Sequence, residues 1–296
     1  MSKFILSCII CTLWSCHLSA QSNAQKLSIG LSTGAVNQDL KWSIAGNLAG
    51  QNPNIFSELH WQKVGGQSVG TTIVWNVYKR LLLSGDYERV FIRSGTVTDQ
   101  DFSGDNRSGI IYDERFNADK GHATDWSASA GYKLINQPKF NLHAFAGYRI
   151  NRQSLVLYDQ TGSFPNLNST YTATWKGPFI KSMAAIELVK KLQVSASLSY
   201  NQVNYQAISD WNLAQNFQHP ISYRHTAKGF GITGDLGLTY AAYRHVAIQV
   251  SGGYFTWQTG KGLDELFLTS GAVDKTQLNR VDWSGYRVTA GLILKL

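Results

Sequence analysis

The sequence predicts an all-β chain: a ten-stranded antiparallel transmembrane β-barrel preceded by a signal peptide. Three observations predict it. Apolar residues recur at every second position through many long stretches. Past the first twenty residues, no apolar run approaches the roughly 18 to 20 residues that a membrane helix needs. The connections between the alternating stretches are short and long by turns, which places tight turns on one rim and polar loops on the other.

The chain opens MSKFILSCIICTLWSCHLSAQSN, with Lys3 ahead of an apolar stretch from Phe4 to Trp14 and a small-residue site, Leu18-Ser19-Ala20, before Gln21. This is the pattern of a secretory leader over residues 1–20, too short for a membrane helix. Cys8, Cys11 and Cys16 all lie within it, so cleavage after Ala20 leaves no thiol for a disulfide, a nucleophile or a metal site. Leu13-Trp14-Ser15-Cys16 offers the alternative of a lipidated Cys16, but Trp14 fits a lipobox poorly.

Strands are expected at about 26–38, 56–77, 81–94, 125–134, 139–154, 171–188, 192–205, 224–240, 246–259 and 282–296. The alternation is plain in several of them. Val194, Ala196, Leu198 and Tyr200 interleave with Ser195, Ser197, Ser199 and Asn201. Trp126, Ala128, Ala130, Tyr132 and Leu134 interleave with Ser127, Ser129, Gly131 and Lys133. In the last strand Val288, Ala290, Leu292, Leu294 and Leu296 share one face. A strand with one dry and one wet face has this period of two. Aromatic residues such as Trp75, Tyr78, Trp126, Tyr132, Tyr148, Tyr240 and Tyr254 cluster near strand ends, as in the interfacial girdles of membrane barrels. Long polar loops are expected at about 39–55, 95–124, 155–170, 206–223 and 260–281.

Nothing in the composition divides residues 21–296, which read as one domain. Cleavage removes Lys3 and lowers the formal net charge from +8 to +7. The basic residues are scattered and sit largely at strand ends, so anionic lipid or polysaccharide fits them better than nucleic acid. Gly229-Phe230-Gly231-Ile232-Thr233-Gly234 matches a dinucleotide fingerprint, but it lies inside an alternating strand with no following helix. Glycines there give the wall room to bend. His60, His122, His143, His225 and His245 lack zinc-site spacing, no metal site is expected, and no Gly-x-Ser-x-Gly elbow occurs.

One loop stands apart. TDQDFSGD, residues 98–105, crowds Asp99, Asp101 and Asp105 into a basic chain, with Asp113 and Glu114 close behind. This loop, together with Gly147-Tyr148-Arg149-Ile150-Asn151-Arg152-Gln153-Ser154, Gly162-Ser163-Phe164-Pro165-Asn166 and Ile221-Ser222-Tyr223-Arg224, resembles the omptins, ten-stranded outer-membrane proteases of bacteria. The resemblance implies an aspartic-type endopeptidase whose water is held between an Asp pair and an Asp-His pair at the extracellular mouth. Asp99 and Asp101 take the place of the Asp pair. Two close carboxylates resist ionising together, which suits them to hold a proton or a water.

The second pair departs from the family pattern. An ungapped match puts Asn212 at the Asp position and Ala214 at the His position; sliding by two makes Asp210 the aspartate and leaves Asn212 where His belongs. Neither residue is an imidazole or can accept a proton at neutral pH, so the family's mechanism is expected to be lost or severely weakened unless His219, further along the same loop, swings in. Of the acids that give the family its preference for basic residues, Asp210 remains and the other appears as Gln38. The resemblance also implies lipopolysaccharide on the outer wall as an activating lipid, at Tyr148, Arg152, Lys176 and Lys228, with Thr174 and Ile150 replacing an expected Arg and Glu. No other cofactor is expected. Basic and aromatic residues at a membrane rim also serve as plain anchors. Three functions follow as alternatives: an endopeptidase acting on extracellular peptide or protein, a non-catalytic surface-binding protein, and a small pore.

Overall fold

The computed structural model describes residues 26–296, so the expected leader lies outside the described residues. Twelve strands replace the ten expected: β1 (Leu27–Ile44), β2 (Ser57–Tyr78), β3 (Leu81–Gly104), β4 (Ser108–Asn117), β5 (Gly121–Asn136), β6 (Phe140–Tyr158), β7 (Asn168–Val189), β8 (Leu192–Asp210), β9 (Tyr223–Tyr243), β10 (Val246–Thr259), β11 (Gly262–Phe267) and β12 (Val273–Lys295). All pairings are antiparallel.

The two additional strands lie inside stretches read as loops. β4 folds back on the far end of β3, and β11 fills the wall between β9 and β12. Both escape a period-two reading because they mix polar and apolar residues on each face, as in SGIIYDERFN. For the same reason β3 runs on to Gly104, so Asp99 and Asp101 sit on a strand and not in a loop.

Leaving those two aside, pairing runs through β1, β2, β3, β5, β6, β7, β8, β9, β10 and β12, and β12 then pairs with β1 from Ser28↔Lys295 to Ile44↔Leu278. Leu27 and Leu296 complete the seam through their backbones. A sheet that returns to its first strand leaves no backbone edge along this ring, the condition for a β-structure in lipid. The short connections, Lys79–Arg80, Lys190–Lys191 and Arg244–His245 among them, gather at one rim, and β4, β11 and the long loops at the other.

The polarity of the wall is apolar outside and charged inside. Leu236, Leu238, Val288 and Leu292 face outward and are 45–66% exposed. Exposed aromatics bracket this belt: Trp75, Tyr78, Tyr132, Tyr240 and Tyr243 toward the turn rim, and Trp126, Tyr148, Tyr200, Tyr254 and Tyr286 toward the loop rim. Nine residues of β9, from Ile232 at the register of Tyr200 to Tyr240, span the belt, enough strand to cross a bilayer core. At the same level inside, Arg287 on β12 reaches Asp235 on β9 at 2.7 Å and Glu88 on β3 at 3.3 Å, while Arg149 meets Asp125 at 3.4 Å.

Above this charged layer the lumen is filled by rings. Trp175, Trp257 and Trp283 lie with centroids 5.1–6.0 Å apart, and Tyr205 and Phe255 pack on them. Trp42, Trp61 and Tyr171 form the next layer toward the loop rim. Each well-placed aromatic pair contributes about 0.5–1.5 kcal/mol beyond its buried area. The glycine repeat in β9 has a specific use here. A Cβ at Gly231 would stand 2.3 Å from the Trp257 ring, so only glycine leaves space for the indole. Gly231→Leu is expected to displace Trp257 and to cost about 1–3 kcal/mol of overpacking. A lower temperature for loss of the folded band on unboiled gels would show it, and an unchanged temperature would refute it.

Candidate mouth site

At the loop rim the strands enclose a cavity of about 350 Å³ that sits on the Trp42–Tyr171 layer. Its walls are mostly apolar, with Trp42, Phe56, Tyr112, Trp211, Phe217, Tyr223 and Leu266 among them. Into them are set Asp99, Asp101, His225 and Asp264.

Asp99 and Asp101 share one face of β3, opposite Glu114 and Tyr112 of β4. Asp99 is 8% exposed. Burial first, and then the neighbouring Asp101, hold its carboxyl well above the ordinary carboxylate range. Burial also raises Asp101, with the Ser57 hydroxyl partly offsetting it. The proton of this pair therefore resides preferentially on Asp99. Tyr112 is raised too, by burial and then by the Asp99 charge.

The opposite wall holds a pair that sequence spacing did not reveal. His225 of β9 lies directly across from Asp264 of β11 in the strand register. Both are buried. His225 Nε2 is 3.2 Å from Asp264 Oδ1, close enough for charge attraction but without hydrogen-bond alignment, and it has no other partner. Nδ1 is 2.9 Å from the Tyr171 hydroxyl, which in turn meets the Tyr205 hydroxyl at 2.5 Å. The result is a buried row of Asp264, His225, Tyr171 and Tyr205. His225 was read only as a histidine without zinc-site spacing, and its partner stands on a strand whose pattern does not announce it.

The other expected site residues are dispersed. Asp210 shares the outward parity of Asn204 and Gln206 at the end of β8 and holds His219 Nδ1 at 2.6 Å; neither residue lines the cavity. Asn212 is committed to the backbone. Its Oδ1 accepts from Asn168 N–H and Ser169 Oγ, and its Nδ2 donates to the Asn166 carbonyl. Gln38 lies deeper, accepting from Trp283 Nε1 at 2.8 Å beside a small space of about 40 Å³. Only Asp99 and Asp101 among the expected catalytic and substrate-binding residues reach the cavity.

On the outer wall Tyr148, Arg152, Lys176 and Lys228 all point outward and are exposed. The register joins Ile150, Lys176, Asn204 and Lys228 into one row around four strands, with Arg152 beside it opposite Thr174. The row runs level with Trp126, which pairs with Ile150, and lies two residues beyond Tyr148 toward the loop rim. Among the described residues, no group of three or more His, Asp or Glu side chains is placed to hold a metal.

The sequence profile of the Pom family, described as Protochlamydia outer membrane protein, matches residues 31–296. The chain belongs to the Pom family. Its place is the outer membrane, in contact with membrane lipid. Among solved structures, this Pom-family chain is similar to the outer membrane protease OmpT of Escherichia coli, with a TM-score of 0.76 and 16% identity over 94% of this chain and 99% of that one. The translocator domain of the autotransporter NalP of Neisseria meningitidis, at TM-score 0.40 and 8% identity, and OprG of Pseudomonas aeruginosa, at 0.38 and 13%, cover 93% and 92% of the Pom-family chain and 90% and 96% of their own. No curated protein matches it in sequence. The omptin resemblance thus holds at the level of the fold, and the family that matches is Pom.

The Asp99 geometry has a consequence for stability. A carboxyl raised on folding binds its proton more tightly in the native state, so stability falls as pH rises from the unfolded value near 3.8 through the raised native one. Asp99→Asn removes this dependence. The variant is expected to melt at least as high as wild type at pH 8 and to lose the difference toward pH 4. A variant that melts lower at pH 8 would show that the carboxylate stabilises the mouth.

Proposed function

We propose that the chain is an outer-membrane β-barrel with its loop rim outside the cell, whose mouth cavity binds polypeptide and hydrolyses it. The observation that carries this reading is that one cavity brings together the Asp99–Asp101 pair and the His225–Asp264 pair. A water between them attacks the peptide carbonyl carbon and gives its proton to the His225–Asp264 pair, whose carboxylate stabilises the imidazolium. Protonated Asp99 donates a hydrogen bond to the carbonyl oxygen. As the C–N bond breaks, the leaving nitrogen takes a proton from His225. Ionised Asp101 keeps the carboxyl proton on Asp99.

The scheme needs Asp99 protonated and His225 neutral at once. Turnover therefore declines as pH rises through the elevated Asp99 value. Asp99→Asn and Asp101→Asn are expected to lose about a hundredfold or more of fluorogenic-peptide cleavage, His225→Gln a similar amount, and His219→Ala almost none. Full activity in the Asp99 and Asp101 variants would remove the hydrolytic reading.

A second reading, polypeptide binding without cleavage, is favoured by the burial of His225 and by the commitment of its Nδ1 to Tyr171. The pore alternative meets a lumen filled by the Trp175–Trp257–Trp283 layer and by the Arg287 ion pairs. Ten ring strands with inward side chains of this size enclose little open lumen, and the protein is expected to be silent in planar bilayers.

The outward row of Lys176 and Lys228 with Arg152 is proposed to take phosphates of lipopolysaccharide as an activating lipid, through charge-assisted contacts. Lys176→Ala with Lys228→Ala is expected to weaken the stimulation of cleavage by lipopolysaccharide severalfold while leaving lipid-free activity unchanged. Equal stimulation in wild type and variant would refute this.

A further inference from the structure

β4 is paired along its length on one side only. Its register with β3 runs from Gly104↔Ser108 to Thr96↔Asn117, whereas its other side meets the wall at the single pair Asn117↔Tyr158. Phe164 packs on Phe116 with centroids 5.3 Å apart and covers the lower end. From Gly109 to Arg115 the second edge has no strand partner. Natural edge strands are usually blunted by Lys, Pro or a cover. SGIIYDERFN contains neither Lys nor Pro, and it presents Ile110 and Ile111 at 59% and 62% exposure.

This edge adjoins the cavity. Tyr112 of β4 lines it, across the ladder from Asp101. The cavity face of the paired segment carries Asp99, Asp101 and Glu114, Asp113 and Arg115 lie on its other face, and Arg107 at the hairpin tip is consumed by a bidentate contact to Glu58 at 2.9 and 3.0 Å. We propose that the free edge of β4 captures an extended basic polypeptide by strand addition, with alternate side chains directed into the acidic, aromatic cavity. Main-chain hydrogen bonds to an exposed edge give affinity irrespective of sequence, and the pocket selects side chains of one parity. The carboxylates of Asp101 and Glu114 on the cavity face favour basic ones. The inference rests on the reading that the cavity accepts polypeptide, but it does not require that the polypeptide be cleaved.

Backbone N-methylation of the ligand provides the test. A fluorescein-labelled peptide of alternating Arg and Val is titrated against the detergent-solubilised full chain and against Asp101→Asn, with anisotropy as the readout. Methylating alternate amides in one phase is expected to weaken binding about tenfold or more, and in the other phase to leave it nearly unchanged. Ile111→Pro, with its folded gel band retained, is expected to weaken the unmethylated peptide to a similar extent. No binding, equal loss in both phases, or loss in neither would overturn the proposal. So would crosslinking that shows the edge occupied by β4 of a second copy. Phase-dependent binding without turnover would sustain strand addition while removing hydrolysis.

Discussion

The pairing of β12 with β1 is the constraint from which the rest of the structure follows. In hydrocarbon an unpaired N–H or C=O has no water to turn to, so a sheet can stand in a membrane only if its last strand finds its first. Once the ring is closed, the pleat dictates everything about side-chain placement. Odd and even residues separate into an outer set, which meets lipid, and an inner set, which must fill or line a narrow lumen. The outer set is simple because lipid asks only for apolarity. The inner set varies with depth: ion pairs around Arg287 at the level of the belt, then stacked indoles, and finally the acids of the mouth.

That depth sequence explains why the mouth cavity has unusual electrostatics. The ring layers beneath it exclude water from below, and the aromatic walls exclude it from the sides. Carboxylates placed there lose hydration without gaining a cation, and Asp99 retains its proton. The same dryness surrounds His225, whose Nε2 leans on Asp264 while Nδ1 is engaged by a tyrosine. The site therefore combines a carboxyl pair and an imidazole–carboxylate pair in one compartment, an arrangement that environment more than sequence motif creates.

Much of the wall was legible in the sequence because a half-buried strand writes its period directly into the residues. The stretches 192–205, 224–240 and 282–296 alternate almost without exception, and their strands are found there. The outward direction of Tyr148 and Arg152 followed from parity alone. Past the membrane the same rule fails, because a strand that rises above the lipid has no greasy side to mark it. β4 and β11 were hidden for that reason, and with them the partner of His225. The placement of Asp99 and Asp101 at the mouth was accessible from their position and charge. The dispersal of Asp210, Asn212 and Gln38 was not, since it depends on parity at strand ends and on loop hydrogen bonds such as Asn212 to Asn168.

The crowding of indoles beneath and around the cavity has an optical consequence. Trp42 and Trp211 form part of its walls, and Trp61, Trp175, Trp257 and Trp283 lie within one continuous stack behind them. Most of the chain's nine tryptophans thus sit within energy-transfer reach of whatever enters, while Trp75 and Trp126 look into lipid. The protein carries its own emission reporter, in which an arriving guest and a change of bilayer would be read by separate groups of fluorophores.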